Sequence, residues 1–191
     1  MSVTPSSAGL NEPAWVVEVL RYWFEELGES RWFENTVQLD SQIRDRFLSL
    51  HEWLVIRDGP DAKTPRSLLA AVVVLDQFSR NLFRGTPRAF AADSIAVRLS
   101  RLAIGLGFDS SLNPQQRLFL YMPFEHSEAR EDQVLAVKLI SALGNSDWTR
   151  YAVGHKEFID RFGRFPHRNG ILNRQSTEDE QAILGKSSPW F

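Results

Sequence analysis

Side chains able to do chemistry gather in three stretches of the 191-residue chain. The first, DQFSRNLFR, starts at Asp76 directly after the apolar stretch SLLAAVVVL. On a helical wheel of about 100° per residue, Asp76, Gln77, Arg80, Asn81 and Arg84 fall within an arc of about 140°. One turn earlier the same arc carries Leu69, Ala70 and Val73. A helix lying on a surface would keep its polar face polar throughout. The change along the length predicts an inner helix whose C-terminal half borders a cleft. The guanidinium groups of Arg80 and Arg84 suit a carboxylate or phosphate, and Asp76, Gln77 and Asn81 would orient it. The same residues also read as an Asp76–Arg80 pair at i, i+4, or as a buried ion-pair network that fixes helix packing.

The second stretch, YMPFEHSEAREDQ, holds Glu125, His126, Glu128 and Asp132. Its residue types could hold a divalent metal, but the spacing matches no metal motif and a second histidine at i+4 is missing. No metal or cofactor is expected. The third, RFGRFPHRNGILNR, gathers Arg161, Arg164, His167, Arg168, Asn169 and Arg174 around Gly163 and Pro166, with Phe162 and Phe165 as anchors. Its arginines suit a bound anion, and equally suit internal pairing with Glu125, Glu128 and Asp132. The candidate ligand-binding set is Asp76, Gln77, Arg80, Asn81, Arg84, Arg164, His167, Arg168 and Asn169. His126, Glu128 and His167 are the candidates for proton transfer. His155, within the stripe Trp148, Tyr151, Phe158, Ile159 and Phe162, reads as a hydrogen-bonded core histidine, and His51 as a helix-surface residue. No nucleophile elbow and no phosphate loop occurs.

The elements that position these residues read as helical. Thr64-Pro65, Thr86-Pro87 and Asn113-Pro114 each place a capping side chain before a proline suited to a first helical turn. Gly28, Gly107 and Gly144 follow periodic segments and read as helix stops. The spacing predicts helices near 12–27, 37–57, 65–84, 88–106, 114–122, 128–143, 147–162 and 177–185. Pro123 is expected to interrupt a helix and Ser127 to cap the next. Residues 1–10 are expected to be flexible and 11–191 to form one domain. Successive helix pairs of roughly 40 residues have the size of a helical-hairpin repeat unit.

Composition narrows the function. A net charge of −2 and a pI near 6.1 give no basic field for nucleic acid or anionic membrane. There is no cysteine, which removes disulfide and thiolate chemistry and suits a reducing cytoplasm. No signal peptide is read at the start, and no apolar run approaches the roughly 20 residues of a membrane span. Aromatic residues make up 12% of the chain, enough for a thick core and for a homodimer patch.

The segments VLRYWFEELGESRWF, VLDQFSRNLFRGTPRAFAAD, FLYMPFEHSE, DQVLAV and RFGRFPHRNGILNR together resemble the bacterial domain-of-unknown-function family 924. Ser79 and Asn173 depart from the pattern that the family leads one to expect, where Pro and Gly would stand. The resemblance implies an all-α, tetratricopeptide-like array of antiparallel helix pairs, and it carries no activity. The function expected from the residues is a polar, arginine-lined cleft for a small anionic ligand, with acid–base chemistry left open. The alternative is a peptide-binding module that takes an acidic chain end, its polar cluster being purely structural.

Overall fold

The structure, a computed structural model, describes residues 12–61 and 63–185. The expectation for residues 1–10 falls outside them. The described residues are all-α, with no strand. The main helices are α1 (Ala14–Arg21), α2 (Val37–Ile56), α3 (Pro65–Val72), α4 (Ser79–Leu82), α5 (Asp93–Gly105), α6 (Pro114–His126), α7 (Arg130–Ser141), α8 (Ser146–Phe162) and α9 (Glu178–Leu184).

The caps behave as their chemistry dictates. The Thr64 hydroxyl accepts from the Ser67 amide at 3.1 Å, and the Asn113 side chain accepts from the Gln116 amide at 2.9 Å. Each such cap contributes about 1 kcal/mol. Thr86 does otherwise. Its hydroxyl donates to the Phe83 carbonyl at 2.8 Å, and the helix expected from 88 begins only at Asp93. The physical reason lies at Ala89. Its carbonyl would accept the amide four residues on in an α-helix, but the Arg80 guanidinium takes it instead, and Pro87–Phe90 forms a 3₁₀ turn.

Pro123 also departs from expectation. It lies inside α6, which continues to His126. The carbonyls at the end of that helix are satisfied from the neighbouring helix. The Gln133 amide donates to Phe124, Glu125 and Ser127 oxygens at 3.3, 2.7 and 2.6 Å. Ser127 accepts from the Ala129 amide at 3.2 Å and donates to Asp132 at 2.7 Å, just ahead of α7.

The core closes around α3. Residues 67–79 are all buried, and α3 packs against α1, α5 and α6. Trp23, Phe47, Phe78, Phe119 and Trp32 interlock beside it, with ring centroids of 5.5 Å for Trp23–Phe78, 4.7 Å for Phe47–Phe78 and 4.6 Å for Trp32–Phe119. Such pairs contribute about 0.5–1.5 kcal/mol each beyond the area they bury. The later helices follow one another, α5 on α6, α6 on α7 and α7 on α8. A smaller cluster of Phe158, Ile159 and Phe165 sits under the C-terminal loop, with Phe162 and Ile183 packed on it.

One feature of the central segment breaks the regular wheel. Val73–Phe78 is a π-helical turn between α3 and α4. A π turn holds about one residue more than an α turn, so everything after it is rotated by about 100°.

Candidate functional site

The π turn carries Asp76 into the interior, where its side chain is 1% exposed. The His126 ring at the end of α6 meets it, with Nδ1 2.8 and 2.9 Å from the two carboxylate oxygens. Gln77 Nε2 donates to Oδ2 at 2.6 Å, and Arg80 Nη2 lies 3.7 Å from Oδ1. Burial works against the charged carboxylate, but His126 and Arg80 outweigh it and hold Asp76 below the usual aspartate range. An ionised carboxylate only accepts, so Nδ1 of His126 carries the proton. Nε2, on the other edge of the ring, has no partner among the described residues, and His126 lines an open cleft of about 510 Å³.

Arg80 is fully engaged. It donates to both oxygens of Asp93, at 2.8 and 2.9 Å, and to the Ala89 carbonyl. Arg168 is not. Its side chain is 8% exposed, yet it makes no hydrogen bond among the described residues. The nearest carboxylate oxygen, Asp93 Oδ2, is 3.6 Å from Nη1, and Nε is buried without an acceptor. Burial and then the Arg80 charge push its pKa down to about 10. Two aromatic faces hold it in place of hydrogen bonds, with Cζ 4.7 Å from the Phe90 centroid and 4.5 Å from that of Phe165.

The loop that delivers Arg168 is built from its sequence. Gly163 ends α8 at φ 68°, a left-handed conformation that favours glycine. The Phe165 amide donates to Glu128 Oε1 at 2.8 Å. Arg174 donates to both oxygens of Glu128, at 2.7 and 3.0 Å, and to the Phe165 carbonyl at 3.2 Å. Pro166–Arg168 then turns as a short 3₁₀ helix. Glu128, although half-buried, is held below the usual carboxylate range by Arg174 and the Phe165 amide. The cleft wall also carries Asp93, Glu128 and Asp132, with Pro87, Phe90, Val97 and Leu172 on its apolar part.

Of the residues singled out in the sequence, Asp76, Gln77, Arg80, His126, Glu128 and Arg168 come together here. Four do not. Asn81 and Arg84 turn to Asp40 of α2, at 2.8 Å and at 2.7 and 2.8 Å. Arg164 and Asn169 turn to Glu180 of α9, at 2.7 and 2.8 Å and at 3.3 Å. His167 packs on Phe165, with centroids 5.6 Å apart, and burial followed by the Arg168 charge pushes its pKa down to about 3, which leaves it neutral. The pairing imagined between the third stretch and the acids of the second holds for Arg174 and Glu128. Asp132 is taken by Arg101, and Glu125 lies 3.0 Å from His155 Nδ1. Burial works against a charged His155 ring, but Glu125 raises its pKa above the ordinary value.

His51 is corrected. It is buried, not on the surface, with Nε2 2.8 Å from the Ser79 hydroxyl. Ser79 sits on α4 directly behind the π turn, so this contact crosses from α2 to the central segment. Two residues of the site were missed, Asp93 and Phe90. The one signal for Asp93 is an isolated acid just after the arginines at 80, 84 and 88.

Comparison with known proteins fits the expected resemblance. A solved structure of a protein of unknown function, ATU0120 from Agrobacterium tumefaciens, is 34% identical, with a TM-score of 0.84 over 90% of this chain and 97% of that one. No curated protein matches. The model of the family described as bacterial protein of unknown function (DUF924) matches residues 19–188, and the chain belongs to that family.

Proposed function

We propose that the cleft between Phe90, His126 and Arg168 binds a small anionic ligand and that His126 transfers a proton on it. One observation carries the reading: among the described residues, a nearly buried guanidinium that makes no hydrogen bond lines the same cavity as an imidazole with an unpaired Nε2. The ion pair of Arg168, to Asp93 at 3.6 Å, is shared with Arg80; a buried charge so weakly paired is costly, and an incoming anion would reduce that cost. The imidazole is arranged for acid–base work. Asp76 fixes its tautomer and orientation and would stabilise the imidazolium formed when Nε2 takes a proton. Asp76, Gln77 and Arg80 thus act through His126 and Asp93 and do not touch the ligand. The end of an acidic peptide would present the same carboxylate to Arg168, so the cavity volume of about 510 Å³, in the range of small-molecule sites, is what favours a small ligand.

The test is a thermal-shift screen of the pure protein against carboxylated and phosphorylated metabolites and acidic C-terminal peptides. A small anion at a hundred times its dissociation constant should stabilise the fold by about 2.7 kcal/mol. Arg168→Met should abolish the shift. His126→Gln should leave it in place while ending any turnover of the ligand found. Stabilisation by peptides alone would replace this reading with an interaction module.

A further inference from the structure

The charge and shape of the cleft narrow the ligand further. Three carboxylates line it, Asp93, Glu128 and Asp132, and each already has its cation: Arg80, Arg174 and Arg101. Among the lining residues the only cation beside the titratable His126 is Arg168. A ligand with one negative charge completes that guanidinium. A second charge would find no free cation among the lining residues, and each carboxylate there already holds the arginine it could otherwise share. Arg168 stands against the faces of Phe90 and Phe165 with Nε buried, which leaves its two terminal nitrogens for a planar, two-oxygen acceptor. The apolar part of the same cleft is formed by Pro87, Phe90, Val97 and Leu172.

Building on the anion-binding reading, we infer that the site selects a monocarboxylate with a compact apolar body over phosphate and over dicarboxylates. The carboxylate sits on Arg168, and the hydrocarbon lies along Phe90, Val97 and Leu172. Each methylene placed on that wall contributes about 0.8 kcal/mol, a gain of about fourfold in affinity, until the wall is covered.

Calorimetric titration of the full chain tests this with acetate, butyrate, hexanoate, adipate and inorganic phosphate. Affinity should climb about fourfold per methylene from acetate to hexanoate. Hexanoate should bind more than about tenfold tighter than adipate or phosphate, as expected if the second charge costs at least about 1.4 kcal/mol. Arg168→Met should end binding, and Arg161→Gln, an exposed arginine outside the cleft, should not. Leu172→Ala should weaken hexanoate and leave acetate unchanged, and it keeps the test open should the Arg168 variant fold poorly. Adipate or phosphate binding as well as hexanoate, and lost in Arg168→Met, would overturn the ligand class and leave the anion site standing. Hexanoate binding that survives Arg168→Met, or no binding by any of the five, would overturn both.

Discussion

Arg164 and Arg168 stand on the same loop and are held in opposite ways. Arg164 donates to both oxygens of Glu180 and to the Gln175 carbonyl. That pairing holds Glu180 down at about 2. Arg168, more deeply buried, has two ring faces, a 3.6 Å ion pair to Asp93 and no side-chain hydrogen bond among the described residues. A polar network whose charges are paired inside the chain describes structure. An unanswered donor at the wall of a cavity describes a place kept for something else. The contrast separates the two roles better than arginine content does, because both residues come from one motif.

The largest effect should come from the closed side, at Asp76. Asp76→Ala leaves Arg80 and the His126 ring around an empty buried position. The loss should be about 3–5 kcal/mol in urea unfolding. A loss below about 1 kcal/mol would mean that Asp76 is not anchored as described.

Glu128→Ala comes next. It strips the acceptor from Arg174 and from the Phe165 amide, and about 2 kcal/mol should disappear. Hydrogen exchange at the Phe165 amide should quicken with it, since that loop loses its tie to the end of α6.

Histidines sharpen the comparison through pH. Burial and then the Arg88 charge push His51 down to about 4, and His167 is pushed to about 3, both from an ordinary value near 6.5. The unfolded chain binds those protons first, so stability should fall as pH drops below about 6.5 and keep falling towards 4. His155 works the other way. Its pKa is raised in the folded chain, so its contribution is complete below about 6.5 and is lost as pH rises through its folded value. The urea midpoint should therefore peak near pH 6.5. His51→Gln should flatten the acid limb, and His155→Gln the alkaline one.

How much of this was legible beforehand follows from the local physics. Helix positions were readable because Thr64-Pro65, Asn113-Pro114 and the stops at Gly107 and Gly144 act over one turn of chain. Asp76 and Arg80 were readable as partners of a cleft because polar groups directly after nine apolar or small residues have few places to go. Asn81 and Arg84 were placed on the same arc and belong elsewhere, because α4 ends at Leu82 and Asp40 of α2, far away in sequence, supplies the acceptor for both. His51 looked exposed because its partner, Ser79, is supplied by another helix. Asp93 escaped notice because a bidentate pair with Arg80 spans thirteen positions, beyond any helical spacing. Glu180 escaped for the same reason, as the acceptor for a loop that the sequence offered to other acids.

The smallest stability change is the most decisive. Arg168→Met removes a buried cation that, among the described residues, has only a 3.6 Å ion pair to Asp93, and keeps a flexible stem against Phe90 and Phe165. Asp93 keeps its bidentate partner Arg80. Urea unfolding of Arg168→Met beside the unsubstituted protein, without added anion, should show equal stability or a gain of about 1 kcal/mol. A loss of about 3 kcal/mol or more, as expected for a broken buried pair, would make Arg168 a structural arginine like Arg164 and would remove the ground for a ligand site in this cleft.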